Sequence, residues 1–154
     1  MAVKPIPDGY EAAIPYLSVV NAAAAIEFYK RAFGATELMR MAGPDGRVRH
    51  AEIKIGKALL MLADEHPEIE FRSPKSLGVA RSPVGIHLYV DDVDAVYKRA
   101  LQAGATSLRE PADQFYGDRS GGVKDAFGNQ WWIGTHVEDV SQEELARRAA
   151  ATAR

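Results

Sequence analysis

Asp113 to His136, DQFYGDRSGGVKDAFGNQWWIGTH, is the stretch on which the reading of this chain turns. It gathers five glycines, Phe115 and Tyr116, a tandem Trp131-Trp132, and Arg119 beside Asp118. A segment that only had to fold would not need so many polar and aromatic specialists. Asp125-Ala126-Phe127-Gly128-Asn129 is a turn signal, and Gln130 to Thr135 after it reads as a strand. Tyr116 to Lys124 reads as a glycine-rich strand or hairpin. Gly121-Gly122 is no dinucleotide fingerprint, because no helix follows it. The stretch is expected to form one wall of a ligand pocket.

Working outward, the same pattern occurs twice. Gly85 to Val90 reads as a strand, Asp91 or Asp92 as a cap, Val93 to Ala103 as a helix ended by Gly104, and Thr106 to Glu110 as a short strand. In the first half, Ile14 to Val20 reads as a strand, Asn21 as a cap, and Ala22 to Phe33 as a helix ended by Gly34. Thr36 to Met41 is a strand, Gly43 to Gly46 a hairpin turn, and Arg47 to Ile55 a strand of period two. Gly56-Lys57 turns into Ala58 to Ala63. The repeat pairs Ile14 with Gly85, Tyr16 with His87, and Leu60 with Trp132. Each half is β-α-β-β-β.

The fold expected is therefore α+β: two tandem βαβββ modules forming a cupped mixed sheet around a cavity, with helices on the outer face. One domain is expected over 1–154. Module one spans about 12–63, a loop 64–83, and module two about 84–136. Ser141 with Glu144 is a capping box, so a helix is expected over about 141–150. Strand parity puts Leu17, Val19, Leu88 and Val90 toward the helices. Ile14, Tyr16, Ser18, Gly85, His87 and Tyr89 take the opposite face, joined by Leu60, Leu62, Trp132 and Gly134.

Bulk properties narrow the function. The chain has 154 residues, 47% hydrophobic and 26% charged, with a net charge of −2 and no basic block, which argues against nucleic acid. No cysteine is present, so disulfides, thiolate metal sites and cysteine nucleophiles are excluded. No apolar run approaches the ~18 residues of a membrane span, and the N-terminus carries no signal-type core. A soluble, cytoplasmic protein is expected. No P-loop, Gly-x-Ser-x-Gly or Ser-His-Asp set stands in context.

The segments AIEFYKRAFGA, HLYVDDVDAVYKRALQAGA and DAFGNQWWI resemble the vicinal oxygen chelate superfamily of glyoxalases, bleomycin-resistance proteins and dioxygenases, over nearly all of residues 12 to 140. The run Asp113–His136 is similar to its PhnB-like subgroup. Ala126 stands where the family commonly has proline. The resemblance implies metal ligands on the first and last strands of each module, which fall on Ile14, Leu60, Gly85 and Trp132. None offers an imidazole or carboxylate. Relatives are commonly homodimers, and the same is expected here.

The expected ligand-binding residues are Tyr16, His50, Leu60, His87, Tyr89, Tyr116, Arg119 and Trp132. Trp132 offers a flat apolar surface, or else simply fills the cavity. Arg119 offers a fork suited to an anion, steadied by Asp118, or else braces the hairpin. His87 and His50 are hydrogen-bonding groups or satisfied histidines. Two functions stay open. One is a metal-free binding protein for a small planar or aromatic molecule. The other is a divalent-metal-dependent lyase, isomerase or dioxygenase with a relocated site on His50, Glu52 and His87. Loop 64–83 is a candidate lid.

Overall fold

In a computed structural model, which describes residues 3–152, the chain divides into two compact units, Met1–Ala80 and Arg81–Arg154. The first holds β1 (Tyr16–Val19), α1 (Ala22–Phe33), β2 (Thr36–Ala42), β3 (Val48–Ile55) and β4 (Ala58–Asp64). The second holds β5 (Gly85–Tyr89), α2 (Val93–Gln102), β6 (Thr106–Asp113), β7 (Asp118–Lys124), β8 (Gln130–His136) and α3 (Gln142–Thr152). Each unit has its own four-stranded mixed sheet, ordered β1-β4-β3-β2 and β5-β8-β7-β6. The first and last strands of each module run parallel and the other pairs antiparallel. The α+β fold of two βαβββ modules is as the repeat implied.

The helices start and stop for local reasons. Asn21 adopts φ 66° and its side-chain oxygen accepts from the Ala24 N–H at 3.1 Å. Asp92 caps α2 in the same way through Ala95 at 3.0 Å. Gly34, at φ 67°, ends α1 in the left-handed conformation that glycine adopts without a Cβ penalty. Helix α1 then presents Ala22, Ala25, Ile26, Tyr29 and Ala32, all fully buried, to one side. They pack over Val19, Ala51, Ile53 and Leu62 of its sheet, also fully buried. Fully burying one side chain such as Ile26 contributes about 1.5–3 kcal/mol. In the second unit α2 packs on β6, β7 and β8, where Val123, Trp131 and Ile133 are fully buried.

A matched latch joins the last strand of each module to the start of its helix. The Asp64 carboxylate accepts from the Ala22 N–H at 3.0 Å and from the Val48 N–H at 2.8 Å. Thr135 Oγ1 accepts from the Val93 N–H at 2.9 Å and donates to the Val90 carbonyl at 2.9 Å. The two latches are related by one step of 71 residues (93 minus 22, 135 minus 64). Asp64, expected to open the loop, is instead the buried end of β4, because these two amides need an acceptor.

Further boundaries differ from expectation: β1 starts at Tyr16, so Ile14, expected on the open face of that strand, lies before it. Strand β6 continues to Asp113 rather than stopping at Glu110, with register shifts either side of Arg109. Pro111 lacks an N–H, and its place on an edge strand makes that harmless. Strand β7 starts at Asp118, because residues 114–117 form the hairpin loop, closed by Gln114 N–H to Asp118 O at 2.7 Å. The C-terminal helix runs to Thr152. Ser141 Oγ caps it through the Glu144 N–H at 3.2 Å, but the Glu144 carboxylate pairs with Arg147 and Arg148. The loop after β4 is partly ordered, with a 3-10 turn at Pro67–Ile69 and a bridge from His66 to Phe71.

The turn at 125–129 is held by one buried group. Asp125 accepts from the N–H groups of Phe127 and Asn129 and from the Trp131 indole, each at 2.9 Å. Ala126 is exposed, so nothing in that network needs the missing proline.

Candidate functional site

Each sheet has one face under its helix and one face away from it. On the first, register places Tyr16 beside Met61, and Met61 beside Glu52. Leu60 sits one residue out of that set. It is 2% exposed and pairs with Ile53, on the helix side. The expected placing of Leu60 and Leu62 on the open face is thus corrected, and the repeat mate of Trp132 is Met61, by the same 71-residue step that relates Tyr16 to His87. The misassignment arose from aligning on Gly56 and Gly128, whose turns differ in length by one residue.

The open face of module one is closed by a hydrogen-bonded chain. The Tyr16 hydroxyl meets His50 Nδ1 at 2.8 Å, and His50 Nε2 meets Glu52 Oε1 at 3.1 Å. Tyr10 donates its hydroxyl to the other oxygen of Glu52. That bond, with the one from His50, holds the nearly buried Glu52 carboxyl below the usual carboxylate range against the opposing effect of burial. A carboxylate only accepts, so Nε2 carries a proton, and in the neutral ring Nδ1 accepts from Tyr16. Phe71 lies against Tyr16 with ring centroids 5.2 Å apart. Tyr10 and Phe71 were not anticipated, since each comes from an irregular segment.

On the second sheet, register puts Gly85 beside Gln130, His87 beside Trp132, and Tyr89 beside Gly134, with Trp132 beside Gly122 and Gly122 beside Arg109. Trp131 is fully buried on the helix side and Trp132 lies on the open face. Its indole spreads across three strands. A Cβ at Gly122 would meet the benzo ring at 2.5 Å, and one at Gly85 would meet the pyrrole edge at 3.0 Å. These two glycines let the ring lie flat on the backbone. The Trp132 N–H donates to Gln130 at 3.1 Å, and the Arg109 guanidinium stands 5.2 Å from the ring centroid. Arg109 also donates to Ser120 Oγ at 2.7 Å, and Ser120 meets the Tyr116 hydroxyl at 3.2 Å. His87 packs on Gly134 and against Tyr89, ring centroids 4.8 Å apart.

Arg119 is not on this face. Its guanidinium grips Asp94 of α2 with bonds of 2.6 and 2.9 Å, and Asp113 at 3.2 Å. It braces the helix to the sheet, so the expected anion-binding role is corrected. Asp118 does not steady it, because successive residues of β7 face opposite ways. Instead Asp118 accepts from the Tyr89 hydroxyl at 2.6 Å and from His136 Nδ1 at 2.9 Å. Burial alone would raise Asp118; the bonds from Tyr89 and His136 outweigh it and hold the carboxyl low. His136 Nε2 also donates to Asp139 at 2.9 Å. Its pKa is raised, first by Asp139 and then by Asp118. An open groove of about 480 Å³, lined by Tyr89, Val90, Asp91, Thr135 and His136, lies at this end of β5 and β8. Arg109 and His136 were missed: the first lies beyond a bulge that breaks strand parity, the second at a strand end.

The residues do not fit a metal at the positions the resemblance implies. Ile14, Gly85, Trp132 and the corrected Met61 include no imidazole or carboxylate. Among the described residues no three His, Asp or Glu side chains are grouped to hold a metal ion. Nor is any helix among them long and apolar enough to cross a membrane.

Comparison with known proteins agrees with this architecture. An uncharacterized protein of Mycobacterium tuberculosis strain H37Rv is 46% identical over 134 residues, covering 85% of this chain and 78% of that protein. One from Mycobacterium bovis has the same identity and is covered over 87% of its length. A gene product of Arabidopsis thaliana superposes with a TM-score of 0.66 at 27% identity, over 80% of this chain and 98% of that one. The fosfomycin resistance protein FosX of Mesorhizobium loti shares the fold, with a TM-score of 0.60 at 16% identity over 86% of this chain and 94% of that one. Residues 12–133 match the family model, and the chain belongs to the Glyoxalase/Bleomycin resistance protein/Dioxygenase superfamily.

Proposed function

We propose that the chain binds a small, flat, partly aromatic molecule on the open face of its second module, without a metal at the superfamily's usual ligand positions. One observation carries this: the Trp132 indole lies flat over Gly85 and Gly122, with its other side turned away from the backbone. An apolar shelf with a few hydrogen-bonding groups at its rim suits a planar ligand. His87 supplies such a group, since neither of its ring nitrogens has a hydrogen-bond partner among the described residues. Tyr89, next to it, is 65% exposed. In contrast, both nitrogens of His50 and both oxygens of Glu52 are already bonded, which favours the metal-free reading over a relocated metal site. We place the chain in the PhnB-like branch on the strength of the run Asp113–His136.

The test is a titration with 2-naphthamide followed through the Trp132 indole N–H resonance. The expected result is a saturable shift, with the affinity read by calorimetry lost in Trp132→Ala and reduced in Gly122→Val, where the new side chain tilts the ring. An unmoved indole, or unchanged affinity in Trp132→Ala, would sink the proposal.

A further inference from the structure

We infer that the ligand of this shelf carries an anionic group, a carboxylate on a planar ring, and that Arg109 is the residue that recognises it. The inference rests on the shelf reading and names the ligand's charge. Arg109 comes from the edge strand β6, beside Gly122, on the same face as Trp132. Among the described residues its guanidinium makes one hydrogen bond, to Ser120 Oγ, a neutral acceptor that is itself buried and tied to Tyr116. Among the described residues no carboxylate pairs with its guanidinium, and Nε and Nη1 hold no bond. Arg119 shows the contrast. It has the same chemistry, but its charge is already matched by two carboxylate partners.

The acids of this face are also committed. Asp118 is bonded to Tyr89 and His136, so its oxygens are already engaged by partners other than Arg109. A cation held over an aromatic ring by a weak contact, worth about 0.5–1 kcal/mol when exposed, is readily exchanged for a stronger partner. A planar carboxylate satisfies both groups at once. Its ring takes the place of the guanidinium on the indole, and the guanidinium turns to the carboxylate as a two-pronged donor. His87 offers a further donor on the far side of the ring.

The experiment compares 2-naphthoate with its neutral counterpart 2-naphthamide, again through the Trp132 indole resonance and by calorimetry. Naphthoate is expected to bind at least about tenfold more tightly, the worth of one charge-assisted hydrogen bond. Its advantage should shrink as salt is raised. Arg109→Gln should abolish the preference for naphthoate over naphthamide, and Arg109→Lys should retain part of it. Arg119→Gln should leave the preference intact. Equal binding of the two probes, or a preference that survives Arg109→Gln, overturns the anion inference and leaves the shelf standing. Failure of both probes to move Trp132 overturns the shelf and this inference together. An unchanged resonance of the fully buried Trp131 indole in free Arg109→Gln shows that the fold is kept.

Discussion

The two modules share a frame and differ in what stands on it. Tyr16, Met61, Glu52 and His50 in the first correspond by strand register to His87, Trp132, Gly122 and Ser120 in the second. In module one the sheet strand carries a long acid and an imidazole, which bond to each other and to two tyrosines. That face is internally satisfied. In module two the same strand carries a glycine and a serine. The freed space takes a large indole lying flat, and an arginine and a histidine keep bonding capacity. Side-chain size on a single strand thus separates a face that closes on itself from one that keeps unused bonding groups around a flat indole. The backbone, the latch and the helix are the same in both.

The difference can be tested by exchanging its parts. The largest effect is expected at the latches, where the modules are most alike. Asp64→Ala strands two buried amides and should cost about 3 kcal/mol in chemical denaturation, whereas Thr135→Val strands one and should cost about 1–2 kcal/mol. Equal losses would mean that the two latches carry equal weight although only one is built on a carboxylate. Next, Gly122→Val puts a side chain where the Trp132 ring lies and should destabilise by about 1–3 kcal/mol, with a displaced indole resonance. A neutral substitution would show the ring to be loosely seated. Glu52→Gln keeps the shape and removes the charge. It should destabilise by about 1 kcal/mol and leave probe binding at Trp132 unchanged, separating the two faces.

The smallest effect is electrostatic and pH-dependent. Glu52 and Asp118 are held below their ordinary values, so their contribution is present above that range and is lost as pH falls through the folded values. His136 is raised, so its contribution is complete below about 6.5 and is lost as pH rises through the folded value. An imidazole titration by NMR should find the His136 midpoint above about 6.5, moving back toward it in Asp118→Asn. A midpoint at or below the ordinary value would remove the bridging role given to His136. Being half exposed, the residue should move overall stability little.

The fold was legible because its signals are local and occur twice. Asn21 and Asp92, Gly34, and the Gly43–Gly46 turn mark element ends by backbone chemistry that no tertiary contact overrides. Trp131 inside and Trp132 outside followed from parity alone. The site was less legible because parity fails wherever the backbone is irregular. A one-residue difference in turn length moved Leu60 to the wrong face, and the bulges around Arg109 hid the cation nearest the indole. Arg119 was misread for another reason. Its partner Asp94 lies 25 residues away on a helix, and no local pattern announces such a pair. The chain from Tyr10 to Glu52 spans 42 residues and was out of reach in the same way.

The latches also bear on how the chain folds. Each joins residues 42 apart, from the beginning of a helix to the end of the last strand of its module. Neither α1 nor α2 has its first amide satisfied until that strand has docked parallel to the strand before the helix. A helix of 10–12 residues is marginal by itself, so it gains persistence only on that docking. The smallest cooperative unit is then the whole module, since a hairpin or helix–strand pair leaves the latch open. Amide exchange should report it: the Ala22 and Val93 N–H groups should exchange with the last strands of their own modules, as late as those strands and not with the fraying ends of the helices.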